Sequence, residues 1–413
     1  MRLSWFVAKR IGSGKKGRLA SLGNVIAVFS VAVSIIVIIV SISVSRGFRK
    51  EILEKMSAFA GDVSLSVMPP SLSGDYDAPE YSLPPIKARE DVLALPYVTS
   101  FQAVSYRPGM IKTEENIQGV MMKGVDSTFN WKFYSSCLEE GSLPDLASDD
   151  FALVSRRMAD MMGFSAGDRI TLYFVGNQVK VRRLRICGIY SAQLENLDKM
   201  YVICSRKMVN GLNGWEEDRS SGYQITFSDH SDKDYPARKQ EIVNLVYGKW
   251  DNDQYLRISG AMEEMPNLVD WLRLLDMNVL IILMLMIAVA AFNMVSCVLI
   301  ILFENISSIG VLKALGMKNS GIKKVFLAKS SSIVLTGLLI GDVIAIGLLL
   351  LQKHFKILSL NPANYFIDHV PVDISWWSIL AADVISFIAI MAILLIPCHF
   401  ISKIQPAKTI KVR

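Results

Sequence analysis

Four apolar runs, at 22–45, 277–302, 330–351 and 376–400, are each long enough for the roughly 20 residues a helix needs to cross a bilayer. They constrain the fold more than any other feature, because a segment in lipid has to satisfy its own backbone polar groups, and a helix does so. The first two runs carry no charge, and the last two carry one aspartate each, Asp342 and Asp383. With 52% of its 413 residues hydrophobic, the composition is that of a membrane protein. The first run is read as a retained anchor. It exceeds the roughly 7–15 residues of a secretory signal core, and no small-x-small cleavage site follows it before Arg46.

Charge sets the expected orientation. Segments 1–21, 303–329 and 401–413 together hold 15 basic residues and one acid, Glu304, whereas segment 46–276 holds 27 basic and 33 acidic residues. Positive flanks stay inside. Both termini and the 303–329 loop are therefore expected in the cytoplasm, with the 46–276 domain and the short 352–375 loop on the other side. The excess of +6 sits at the membrane edges, so it does not argue for nucleic acid. Cys137, Cys187 and Cys204 fall in the large domain. Three is no disulfide framework, and one bridge or three buried thiols are both open.

Residues 1–21 form a basic amphipathic lead-in. Its GSGKK stretch is not a phosphate-binding loop, because the first glycine of that pattern is missing and Lys16 follows Lys15 where Ser or Thr belongs. The lead-in reads as a flexible arm on anionic headgroups. After the first run, Ile52, Leu53, Met56 and Phe59 continue one apolar helical face, so the helix is expected to run on as a stalk. Leu268, Leu272 and Leu275 predict a second stalk entering the second run. Between the stalks, strands alternate with short helices punctuated by Gly163 and Gly167, which predicts a mixed α+β domain. No catalytic set or metal-ligand spacing stands out there, and His230 is its only histidine. Asp342 and Asp383 fall at similar depth, roughly 10–14 Å below one interface at 1.5 Å per residue, the interface marked by Trp376 and Trp377. They either share one polar contact or pack locally near water.

The 303–329 segment carries Ile306, Ile309, Val311, Leu312 and Leu315 at helical spacing, five lysines, and Gly316 as a natural helix stop. Either lipid or a partner protein covers that apolar face. The residues Ile309, Gly310, Val311, Leu312, Lys313, Ala314, Leu315 and Gly316 resemble the coupling segment of FtsX-like ABC permeases, the superfamily of MacB and the lipoprotein-releasing pair LolC and LolE. Ser308 stands where that family usually has a charge. The SxxxGFxxE pattern around Arg46, Gly47 and Phe48 and the YFIDHVPV stretch resemble the lipoprotein-releasing members. The order of elements from Leu153 to Val202 resembles the periplasmic domain of MacB and LolC/LolE proteins.

The resemblance implies an α-helical membrane protein with four spans and a large α+β periplasmic domain between the first and second, in a bacterial inner membrane. It implies a permease subunit of an ATP-driven complex that extracts lipoproteins from the outer leaflet and hands them to a periplasmic carrier. This chain would bind no cofactor. ATP and magnesium would sit on a partner ATPase that docks at 309–316, and a second permease, copy or paralogue, would complete the path. Ile38, Ile42, Arg46 and Phe48 from the first span and Leu280, Met284 and Met286 from the second are the expected cargo contacts, methionine suiting flexible apolar cargo. Two other roles fit the superfamily: MacB-like export through an adaptor and outer channel, and FtsX-like signalling to a cell-wall hydrolase.

Overall fold

The computed structural model describes residues 18–67, 81–113, 116–145, 148–174, 179–229, 234–304, 313 and 316–400. The lead-in up to residue 17, residues 69–80 of the Pro-rich stretch, His230, the 401–413 tail and Ile309, Gly310, Val311, Leu312, Ala314 and Leu315 lie outside the described residues. The chain forms two compact units. One comprises the chain through Phe48, Leu272–Leu358 and the chain from Val370; the other comprises Arg49–Trp271 and Ser359–His369.

Four helices are long and apolar enough to cross a membrane: α1 (Arg18–Ala60), α2 (Pro266–Glu304), α3 (Asn319–Phe355) and α4 (Trp376–Phe400). At 43 and 39 residues, α1 and α2 span roughly 60 Å each, about twice a hydrocarbon core. Both therefore run beyond their apolar runs, as the stalk pattern predicts. Residues Ile52, Leu53, Met56 and Phe59 are all buried. Helix α3 starts before the third apolar run. Residues 319–329 are its first three turns, continuous with that run. Gly316 takes φ +90° and Lys318 is extended, so the chain breaks there; Ile322, Val325 and Phe326 then bury one face and carry the helix on.

Within the helical unit, α1 packs closely on α3. A Cβ at Gly337 would lie 2.8 Å from Val31, and one at Gly341 would lie 2.0 Å from Cγ2 of Ile35 and 2.8 Å from the Ala32 carbonyl oxygen. Small residues four apart let two helix backbones approach in this way. Asn293 of α2 donates to Ser30 of α1 at 2.6 Å.

The α+β unit is built on ten strands: β1 (Val63–Ser66), β2 (Val98–Lys112), β3 (Ile117–Val125), β4 (Leu138–Gly141), β5 (Phe151–Ser155), β6 (Arg169–Phe174), β7 (Lys180–Tyr190), β8 (Tyr201–Ser205), β9 (Gly222–Phe227) and β10 (Arg257–Gly260). Their order is β10-β1-β9-β2-β3-β8-β5-β7-β4, with β6 bridging β2 and β7. The β3–β8 and β5–β7 pairs are parallel and the others antiparallel. Strands β1, β5 and β9 are buried on both faces, which is why β5 reads as an unbroken apolar run. Between β5 and β6, Ser155 caps a short helix by accepting from the Met158 N–H at 3.1 Å, and Gly163 closes it at φ +71°. Cys137, Cys187 and Cys204 are free thiols. Burial pushes Cys137 up to about 12 and Cys187 up to about 11, so neither is a ready nucleophile.

The end of α1 is anchored by buried polar groups. The Phe59 carbonyl, one of the orphan acceptors of a helix C-terminus, receives Nζ of Lys123 at 2.8 Å and Nε2 of Gln224 at 3.0 Å. Lys123 is fully buried on β3, its ammonium 5.2 Å from the Phe129 ring centroid. Burial lowers its pKa to about 7, against a small upward pull from Glu264.

Candidate functional site

The features that set this chain apart converge where α1 leaves its apolar run. Arg46 donates through Nε to Asp373 at 3.2 Å and through Nη1 to Ser378 at 3.0 Å. The Asp373 backbone N–H donates to the Ser43 carbonyl at 3.1 Å, and Ser45 Oγ donates to Asp276 of α2 at 3.1 Å. Gly47 completes the contact. A Cβ there would lie 2.5 Å from the Pro371 carbonyl oxygen and 2.9 Å from the Val372 nitrogen, so only glycine lets the 370–375 segment lie against the helix. The Arg46–Asp373 pair is half exposed and contributes little energy by itself. Its use is geometric: it ties α1 to α4 and to the 370–375 segment that leads into α4.

Next to this clasp lies an apolar cavity of about 240 Å³. Ile42 of α1 and Leu283 and Ile287 of α2 form two walls, and Ser378, Ala381, Ala382, Ile385 and Ser386 of α4 form the third. Small side chains on α4 leave the space and aliphatic ones line it. Ser378 belongs both to the cavity and to the clasp, so an apolar slot has a hydroxyl and the Arg46–Asp373 ion pair at its mouth. That is the chemistry of a site for an amphiphile.

A second feature lies on the α+β unit. Strands β6 and β7 form a hairpin that sets Arg169 opposite Arg185 and Thr171 opposite Arg183. Arg169, Arg182, Arg183 and Arg185 are exposed, and none makes an ion pair among the described residues. Val179 and Val181 are exposed beside them. Like charges directly opposite one another destabilise a ladder, so this hairpin is not optimised for the fold alone. Among the described residues no group of three or more His, Cys, Asp or Glu side chains is placed to hold a metal.

Residues 25–244 match the family described as MacB-like periplasmic core domain, and residues 280–406 match that described as FtsX-like permease C-terminal. The chain belongs to this FtsX/MacB permease family. The permease is similar end to end to curated proteins. It is 21% identical to the lipoprotein-releasing system transmembrane protein LolC of Xylella fastidiosa, over 96% of this chain and 95% of that one. It is 23% identical to LolC of Neisseria meningitidis (99% and 98%) and 21% identical to LolE of Haemophilus influenzae (99% and 99%).

The permease's structure brings only some of the expected contact residues together. Ile42 lines the cavity, Ile38 lies buried at a smaller void beside it, and Arg46 stands at its mouth. Phe48 is buried. Leu280 and Met284 lie on the exposed surface of α2, 45% and 56% exposed, and Met286 packs into the helical core. Leu283 and Ile287 supply the α2 wall of the cavity. The α4 wall was not foreseen. Its signal was available: Ser378, Ala381, Ala382, Ile385 and Ser386 recur at helical spacing on one face. Asp342 and Asp383 do meet. They face each other between α3 and α4, and the Oδ1 atom of each is buried without a hydrogen-bond partner.

Proposed function

We propose that this permease is the membrane subunit of an ATP-driven complex that extracts lipoproteins from the outer leaflet of a bacterial inner membrane and passes them to a periplasmic carrier. The observation that carries the reading is the end-to-end likeness to LolC and LolE proteins. The site chemistry supports it. An acyl anchor entering sideways would lie in the slot between α1, α2 and α4, with the polar part of the lipid at Arg46 and Ser378. Taking an acyl chain of about 16 carbons into water costs on the order of 12 kcal/mol at ~0.8 kcal/mol per CH₂. Extraction therefore requires both an energy source and an apolar receiver.

In this reading both termini and the 303–329 segment face the cytoplasm, where a separate ATPase binding ATP and magnesium docks on Ile309–Gly316. A second permease subunit, copy or paralogue, completes the path. The arginine hairpin of β6 and β7 offers an acidic carrier a docking surface. Export of a periplasmic substrate through an adaptor is a second reading, favoured by the match of the α+β domain to the MacB-like core.

The deciding experiment is purification from native membranes, with co-purifying proteins identified, followed by ATP-dependent release from proteoliposomes. Acylated lipoproteins with an ATPase are expected, and Ala382→Phe, which fills the slot, should cut release at least tenfold while basal ATP hydrolysis persists. Recovery of an adaptor and no lipoprotein would move the assignment to export.

A further inference from the structure

Lys55, on the part of α1 within the α+β unit, is only 6% exposed. Its ammonium donates to Oε1 of Gln193 at 3.0 Å and to the Phe366 carbonyl at 2.7 Å. Among the described residues only three non-glycine residues have positive φ, and two of them are these acceptors: Gln193 at +62° and Phe366 at +61°. Left-handed backbone at such residues persists only where the surroundings hold it. Here one ammonium holds both.

Each acceptor is also tied into its own segment. Asp198 accepts from the backbone N–H groups of Gln193 and Leu194, the latter at 3.2 Å. Phe366 stacks edge-on against Trp271 at 5.6 Å, and its N–H donates to the Pro362 carbonyl at 2.8 Å. Asp368 hydrogen-bonds to Gln193 and contacts His369. Three carboxylates therefore face the one cation: Glu51 from its own helix, Asp198 from the 191–198 loop and Asp368 from the 359–369 segment, with the Cys137 thiol nearby. Oδ1 of Asp198 is buried with no hydrogen-bond partner. Burial already raises Asp198 to about 7, so without the ammonium it would take up a proton, and the Gln193 and Phe366 acceptors would be left unpaired beside two left-handed residues.

We propose that Lys55 is a positioning residue that latches segment 359–369 and loop 191–198 onto the α1 stalk. While its ammonium is in place both segments are held in their left-handed form. When it withdraws, backbone strain and the two unpaired acceptors open both together. Because 359–369 lies in the connection between α3 and α4, the latch governs how firmly that connection is held.

Amide hydrogen exchange on the purified full-length permease tests this, comparing Lys55→Met with the wild type. Exchange across 359–369, including the amides of Leu360, Tyr365 and Phe366, and across 191–198 should rise about tenfold or more, the effect of losing one charge-assisted hydrogen bond. Strands β5 and β9 should keep their protection. Gln193→Ala, which removes one acceptor and leaves the amine, should loosen the same two segments to a smaller extent, and it serves if Lys55→Met does not fold. Unchanged exchange in these segments, or an equal rise in β5 and β9, would overturn the latch and leave Lys55 a structural residue. The assay does not depend on what is transported, so its failure leaves the proposed function standing.

Discussion

A methyl group at Gly341 would meet Ile35 and the Ala32 backbone, whereas one at Gly347, on the same helix, would meet nothing within 4 Å. Gly341→Ala should therefore destabilise the helical unit by about 1–3 kcal/mol, as overpacking does. Gly347→Ala should be neutral or slightly stabilising. Thermal unfolding of the two variants in detergent separates them, and equal melting temperatures would sink the close-packing account. Lys123 makes a second prediction at this scale. Its folded pKa of about 7 lies below the ordinary lysine value of 10.5, so between these pH values the unfolded chain holds a proton that the folded chain does not. Stability therefore rises with pH across about 7 to 10.5, with a slope approaching about 1.4 kcal/mol per unit, and is flat below that window. Lys123→Met should remove this slope, which denaturant titrations at pH 7, 8.5 and 10 would reveal. Met leaves the Phe59 carbonyl still bonded to Gln224.

At the scale of elements, the β6–β7 hairpin sets fold and function against each other. Arg185→Glu puts an acid opposite Arg169, so it should stabilise the α+β domain by about 0.2–1 kcal/mol. If an acidic carrier docks there, the same change should weaken its capture at least tenfold and reduce the salt dependence of binding. A stabilised variant with unaltered capture would assign the hairpin to another role. The elements themselves were unevenly legible. The apolar runs showed where helices lie, and the continued periodicity after Arg46 showed that α1 runs on past its apolar run. The start of α3 at Asn319 was not legible, because lysines on one face mask the Ile322–Phe326 stripe on the other. Strand β1 alternates apolar and polar residues, the usual pattern of a half-buried strand. Its serines are in fact enclosed between β10 and β9.

For the whole molecule, the two long helices matter because each is unbroken well beyond its apolar run. A continuous helix transmits displacement along its axis, whereas a flexible joint does not. If the permease works with an ATPase as proposed, inserting Gly-Gly between Phe48 and Arg49 should leave ATP hydrolysis near its wild-type rate and reduce cargo release per ATP several-fold. Parallel phosphate and release assays on one preparation would show this. Equal loss of both activities would instead mean failed assembly.

The sequence by itself determined the class of molecule: four spans, two helical stalks, an α+β domain between them, and the family to which the chain belongs. These are local or additive properties, since an apolar run, a charge bias and a helical period can be read wherever they occur. Only the tertiary structure decided the site. Arg46 and Gly47 are more than 320 residues from Asp373 and Pro371, yet the two short motifs that carry them form one clasp. The cavity beside it depends on which faces of α1, α2 and α4 turn toward one another. Lys55 likewise becomes a latch only when Gln193 and Phe366 are folded against it. Pairing of distant segments is set by packing and close approach, and no local pattern in a single sequence encodes it.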